Sequence, residues 1–220
     1  MNNIILSCEN LSKKFGNIVA VDRVNYEFES SHFYAIKGAS GAGKSTFLQV
    51  LGLLEDCDKG SVYIDGEDIL KLSSKKKASY RQNYFGFVFQ SCFLNASFTS
   101  LENLMIPMLL SKNIDQARSD AEELLKKVGL YDRKDCYPKQ LSGGEQQRIA
   151  VVRALANSPK CILADEPTGN LDEENEKIVF MLLKEYATQH GRTVICVTHS
   201  DKISKYADSM LFYKKGELFI

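Results

Sequence analysis

A chain of 220 residues is long enough for one large α/β domain with a full core. Hydrophobic residues at 44% and charged residues at 25% are the proportions of a soluble globular protein, and no apolar run approaches the ~20 residues that span a bilayer. Lys plus Arg balance Asp plus Glu at 28 each, without the basic excess that a dedicated nucleic-acid binder needs.

The segment Met1–Leu6 lacks the charged start and long apolar stretch of a signal peptide, which predicts a chain that stays in the cytoplasm. Six cysteines (Cys8, Cys57, Cys92, Cys136, Cys161, Cys196) are scattered with no C-x-x-C pair, so they read as reduced thiols rather than a disulfide or metal framework. Val24, Tyr26 and Phe28 alternate with Asn25 and Glu27, and Val62 and Ile64 repeat the pattern before an Asp65-Gly66 turn. Both stretches predict half-buried antiparallel strands in a small sheet beside the main one. Between them, Phe33–Ile36 is a short apolar run that predicts a buried strand.

That strand leads into Gly38, Ala39, Ser40, Gly41, Ala42, Gly43, Lys44 and Ser45, a full match to the phosphate-binding loop G-x-x-x-x-G-K-[ST]. The glycines permit bends that a Cβ forbids, and the freed N–H groups can wrap a phosphate chain. Lys44 supplies a charge for the β- and γ-phosphates, and the Ser45 hydroxyl is placed for Mg²⁺. Thr46–Leu51 reads as the start of a helix, whose N-terminus suits an anion. On these residues alone, a phosphate-loop kinase or GTPase switch fits as well.

Lys75–Lys77 predicts a solvated helix face. Gln90 ends the apolar segment Phe85–Phe89, where its carbonyl oxygen is able to reach Mg²⁺ or an attacking water. From about residue 91 to 156 the pattern becomes helical. Ala117, Ala121, Leu124, Leu125 and Val128 recur at helical spacing until Gly129, and Glu145–Ala156 predicts a second helix. Cys161–Ala164 and Thr193–Thr198 are continuous apolar runs, as in parallel strands covered on both faces, with Cys161 and Cys196 acting as small hydrophobes. The first runs into Asp165, a candidate Mg²⁺ ligand, and Glu166, a candidate general base. The second ends at His199, placed to meet a γ-phosphate or its nucleophile, whereas His32 and His190 lack such context and read as surface residues.

Leu141-Ser-Gly-Gly-Glu-Gln-Gln-Arg148 resembles the signature motif of ATP-binding-cassette (ABC) ATPases. The resemblance extends in order over nearly the whole chain: Phe15 resembles the adenine-stacking aromatic, in a loop and usually Tyr; Gln90 the Q-loop; Cys161–Glu166 the Walker B strand; Gly169–Asp172 the D-loop; and His199 the switch histidine. Ser200 departs from the usual aspartate after that histidine. The implied fold is an α/β phosphate-loop NTPase cassette: a mainly parallel core sheet with helices, an N-terminal antiparallel β subdomain and a helical subdomain. It implies one domain over 1–220, with about 1–90 and 157–220 as the catalytic core and about 91–156 as the helical subdomain carrying the signature.

The resemblance also implies ATP and Mg²⁺ as ligands, with catalysis by Glu166, His199, Lys44 and Gln90 and metal binding by Ser45, Gln90 and Asp165. Two copies would pair head to tail, so that Ser142, Gly143, Gly144 and Glu145, with Asp172, complete the nucleotide site of the partner. The chain would be peripheral, at the cytoplasmic face of the cell membrane through a separately encoded transmembrane permease, with no nucleic-acid partner. Phe87–Gln90, Leu101–Leu104 with Pro107, Tyr137–Gln140 and Asp165–Asp172 resemble the ATPases of macrolide-efflux, lipoprotein-release and antimicrobial-peptide-export systems. A mechanotransducer in cell division or sensing, and less readily a DNA-repair or translation ATPase, stay as alternatives. Phe93, Leu94, Phe98, Leu101 and Met105 are candidates either for the groove that receives the permease or for the core of the helical subdomain. The end of the chain at Ile220, soon after His199, predicts no appended regulatory domain.

Overall fold

The computed structural model describes residues 4–189 and 191–220; His190, read above as a surface residue, lies outside them. In chain order, β1 (Ile4–Phe15) and β2 (Ile18–Glu29) are followed by β3 (Phe33–Lys37), α1 (Lys44–Leu51), β4 (Lys59–Ile64) and β5 (Glu67–Asp68). Next come α2 (Ser74–Asn83), β6 (Phe85–Phe89), α3 (Ser100–Met108), α4 (Ile114–Lys127) and α5 (Gly143–Leu155). The chain closes with β7 (Cys161–Asp165), α6 (Glu173–Gln189), β8 (Thr193–Val197), β9 (Ser209–Lys214) and β10 (Glu217–Phe219).

The alternating residues form the first sheet, antiparallel in the order β2-β1-β4-β5. Val24 and Phe28 of β2 are buried and Tyr26 is half-buried, while Asn25 and Glu27 face water. The continuous apolar runs form the second sheet, β10-β9-β3-β8-β7-β6, parallel from β9 to β6 with β10 antiparallel at its edge. Successive residues of its central strands feed opposite cores. Ile162 and Val194 join the helices α3 to α6, whereas Leu163 and Ile195 join α1 and the antiparallel sheet. The helix α1 therefore lies between the two sheets, with Phe47 and Leu51 fully buried.

Several expectations shift on the structure. Helix α5 begins at Gly143, two residues before the predicted Glu145, because Ser142 and Glu145 close a capping box. Phe15 ends a strand instead of lying in a loop, and it is about half exposed. His32 is half-buried, its Nε2 2.8 Å from Ser209 Oγ. Leu101 and Met105 are core residues, so of the five groove candidates only Phe93 and Phe98 are exposed. The sequence pattern predicts none of β1, β5, α3, α6, β9 or β10. In β1 the cause is visible: Asn10 has a positive φ, and register shifts break the alternation.

The contact between α5 and β6 fixes the signature segment against the sheet. A Cβ on Gly86 would stand 2.3 Å from the Ala154 carbonyl oxygen, with no room to relax except by moving the helix. Gly86→Ala should therefore lower stability by about 1–3 kcal/mol through overpacking, read as a lower denaturant midpoint at unchanged slope. An unchanged midpoint would mean that helix and strand are not pressed together.

Candidate nucleotide-binding site

Every predicted motif of the cradle lies where a parallel strand ends. Beyond β3 comes the phosphate loop, beyond β6 comes Gln90, β7 ends on Asp165 with Glu166 next, and Thr198 and His199 follow β8. Because β3, β8, β7 and β6 pair in parallel, these four ends reach one edge of the sheet together.

The loop itself is held by close approaches. Gly43, at φ +104°, takes a left-handed turn into α1, and a Cβ there would stand 1.9 Å from the Ala20 carbonyl oxygen. Gly38 serves a different need from the bend expected of it: its φ is ordinary, but a Cβ would stand 2.2 Å from the Tyr213 carbonyl oxygen. The N-terminus of α1 has no side-chain cap and no acid in its first turn, so its orphan N–H groups remain free for an anion. Lys44 is buried, and its Nζ donates to the carbonyls of Gly38 and Ala39 at 2.8 and 2.9 Å. No carboxylate among the described residues lies within salt-bridge distance of it. A buried ammonium whose direct partners are two neutral carbonyls suits a phosphate chain.

Behind the loop, the Ser45 hydroxyl donates to Asp165 Oδ1 at 2.8 Å. Burial raises the Asp165 carboxyl above the usual carboxylate range, and Glu166 adds to the rise, against lowering by the Ser45 hydrogen bond and Lys44. No group of three or more His, Cys, Asp or Glu among the described residues could hold a metal alone. One carboxylate and one hydroxyl beside a phosphate cradle nevertheless fit Mg²⁺, which keeps waters and shares its shell with substrate phosphates.

Glu166 sits at φ +46°, a conformation that costs free energy for a residue with a side chain. Its N–H donates to the Val197 carbonyl at 2.8 Å, which ties it to the end of β8. Its Oε2 accepts from the backbone N–H of His199 at 3.2 Å and lies 2.9 Å from His199 Nδ1. Gln90 packs against Gly169, where a Cβ would meet its amide nitrogen at 2.9 Å. Just before Gln90, the Phe89 carbonyl accepts from Gln147 of α5.

These groups surround a cavity of about 460 Å³. Its lining includes Phe15, Ser40, Gly41, Gly43, Lys44, Ser45, Thr46, Gln90, Glu166 and His199. Gly38, Ala39, Ala42 and Asp165 are not part of its lining, whereas Ile18 and Ala20, which the sequence pattern did not single out, are. The signal for Ile18 was available: a large apolar residue next to Phe15 across a Gly16 turn, here 69% exposed.

None of Ser142, Gly143, Gly144, Glu145 or Asp172 lines the cavity. They form a second constellation at the start of α5 and α6. Ser142 Oγ accepts from the Glu145 N–H at 3.2 Å, and Glu145 Oε2 accepts from the Ser142 N–H at 2.7 Å. That backbone donor, with Arg133 nearby, holds the Glu145 carboxyl below its ordinary range. Asp172 accepts from the Asn175 N–H and amide, which lowers its carboxyl too. The Asn175 amide fills the space where Gly144 would carry a Cβ.

The sequence profile of the ABC transporter family matches residues 21–169. The lipoprotein-releasing system ATP-binding protein LolD of Francisella tularensis is 42% identical over 224 residues, covering 99% of this chain and 97% of that protein. LolD of Porphyromonas gingivalis is 41% identical, covering 98% of this chain and 99% of the relative. Among solved structures, a dimeric ATP-binding cassette in a post-hydrolysis state with ADP and phosphate superposes with a TM-score of 0.90 at 36% identity. It covers 97% of this chain and 96% of its own. A second dimeric structure of that cassette gives 0.91 at the same identity and coverage. With this cradle on this fold, and with such relatives along nearly its whole length, the chain belongs to the ABC transporter ATP-binding family and is an ATPase.

Proposed function

We propose that the chain works as a head-to-tail pair, each ATP lying between the cradle of one copy and the Ser142–Glu145 segment of the other. The division of the site into two constellations carries this reading, since the second has donors but no share in the cavity of its own chain. Ser142 accepts with its oxygen and keeps its hydroxyl hydrogen to donate, beside the first-turn N–H groups of Gly143 and Gly144. The solved cassettes are dimeric, which fits a paired working state.

In this pair Lys44 and the first-turn N–H groups of α1 hold the β- and γ-phosphates. Phe15, with Ile18 beside it, offers an apolar wall for adenine. Ser45, Asp165 and Gln90 would hold Mg²⁺, which when bound neutralises phosphate charge and orients the chain of oxygens. Glu166, aimed by its left-handed backbone and by His199, directs a water and takes its proton. His199 and Lys44 steady the developing charge on the γ-phosphate, and the lid of the partner excludes bulk water. ATP favours the closed pair and hydrolysis removes that preference.

The output passes through residues 91–156, acting as a unit relative to 1–90 and 157–220, to a separately encoded membrane permease. Among the described residues no helix is long and apolar enough to cross a membrane. A groove of about 610 Å³ runs beside β6 and α3, with Phe87, Phe93, Ile106 and Leu110 in its wall, and it fits an amphipathic helix at the cytoplasmic face. The LolD relatives point to release of lipoproteins as the work done, with peptide or antibiotic export as neighbouring possibilities.

Glu166→Gln should retain ATP binding, lower turnover about a hundredfold or more and trap the closed pair. Phosphate release at the original rate would remove Glu166 as the base. On that background, Ser142→Arg should leave ATP binding by the single chain intact and abolish ATP-dependent dimerisation, seen by size-exclusion chromatography with light scattering. A normal dimer would refute the lid. Leu110→Glu should abolish co-purification with the permease while the purified chain keeps its ATPase rate, and retention of the complex would exclude the groove.

A further inference from the structure

Glu176 is an acidic residue held mostly out of water, 9% exposed. It lies in the first turn of α6 and points at the loop that carries His199, away from the nucleotide cavity. Its Oε1 accepts from the Ser200 hydroxyl at 2.5 Å and from the Thr168 hydroxyl at 3.4 Å, and its Oε2 meets Lys202 Nζ at 3.1 Å. Ser200 in turn accepts from the Lys202 N–H, and its own N–H donates to Thr198 Oγ1. On the far side, Asp201 pairs with Lys37 at the end of β3. The residues on both sides of His199 are thus fastened, and the main anchor is a carboxylate from another element.

We propose that Glu176 is a positioning residue for hydrolysis: by holding Ser200 and Lys202 it fixes the His199 loop, and with it the contact of His199 with Glu166. Three polar partners repay the desolvation of one carboxylate, so the anchor is rigid where a surface ion pair would not be. Thr168 extends the same carboxylate to the turn after Glu166, so one group ties both halves of the hydrolytic pair. Ser200 also becomes intelligible. A carboxylate at that position would confront Glu176 at hydrogen-bond distance, and two acids in one site cannot both ionise cheaply. This chain supplies the acid from α6 and the hydroxyl from the loop.

The proposal rests on Glu166 and His199 as the hydrolytic pair, and the full chain is the material for its test. Glu176→Ala and Ser200→Ala should each lower kcat about tenfold, with the KM for ATP changed less than about twofold, rates being normalised to nucleotide-binding sites. A purely structural role would lower the number of binding sites and leave the rate per site unaltered. Lys202 also meets Glu173 of α6 at 3.2 Å, an ion pair that none of these variants removes. Ser200→Asp alone should be at least as slow, and Glu176→Ala with Ser200→Asp should recover most of the rate, since a single carboxylate then again occupies the site between Thr168 and Lys202. Unaltered rates per site in both alanine variants, or a double variant no faster than Ser200→Asp, would overturn the proposal. If Glu176→Ala does not fold, Ser200→Ala and the aspartate pair decide it. Glu166→Gln run alongside separates the two readings: persistent turnover there defeats the hydrolytic assignment, while its loss beside unaltered rates in both alanine variants defeats only the role of Glu176.

Discussion

Parallel pairing of β3, β8, β7 and β6 is the constraint on which the site depends. A parallel ladder brings the C-terminal ends of its strands to one edge, and each of these strands is apolar until the residue where it leaves the sheet. The polar residues that follow are distant in sequence and have no reason to meet except this ladder. Lys37 and Asp165 mark the change on β3 and β7, and Thr198 marks it on β8. The two cores on either face of the sheet hold the register, because a slip of one residue would exchange the faces of Ile162 and Leu163.

The two glycine-rich helix starts differ in a way that suits different partners. The start of α1 is uncapped, free of acids and backed by a buried lysine, so it attracts a polyanion. At α5 the start is already capped by its own Glu145, which offsets the positive end of the helix. Such a terminus offers directed donors with little net charge of its own. That is the physical basis of the lid role proposed for this segment. Asn175, seated on Gly144 and bonded to Asp172, links this start to that of α6 within one chain.

Much of the architecture was legible in the residues because local physics and tertiary burial agreed. The alternation in β2 and β4, the apolar runs of β3, β7 and β8, and the helical spacing of α4 all read directly. Helix α6 carries a comparable signal in the buried residues Val179, Phe180, Leu183 and Ala187. β1 is another matter, since its bulges interrupt the period and its burial follows from pairing with β2 and β4 on both sides. Leu101 and Met105 were ambiguous for a similar reason. An apolar residue on a helix reads the same whether its face meets a core or an open groove, and only the packing against α4 and α5 buries them.

The chemical groups were readable from the residues: a lysine in a glycine loop, a strand running into two acids, a histidine after a second strand, and a signature segment set apart from them. These are decided by residue type and local spacing. Packing in three dimensions settles which of these groups share a cavity, that Gly38 and Gly144 are glycines for lack of room, and that Glu166, in a left-handed conformation, is tied to the end of β8. The same holds for the anchoring of Ser200 by Glu176. Such facts depend on distances between segments far apart in the chain, and no local pattern encodes them until the sheet has brought the segments together.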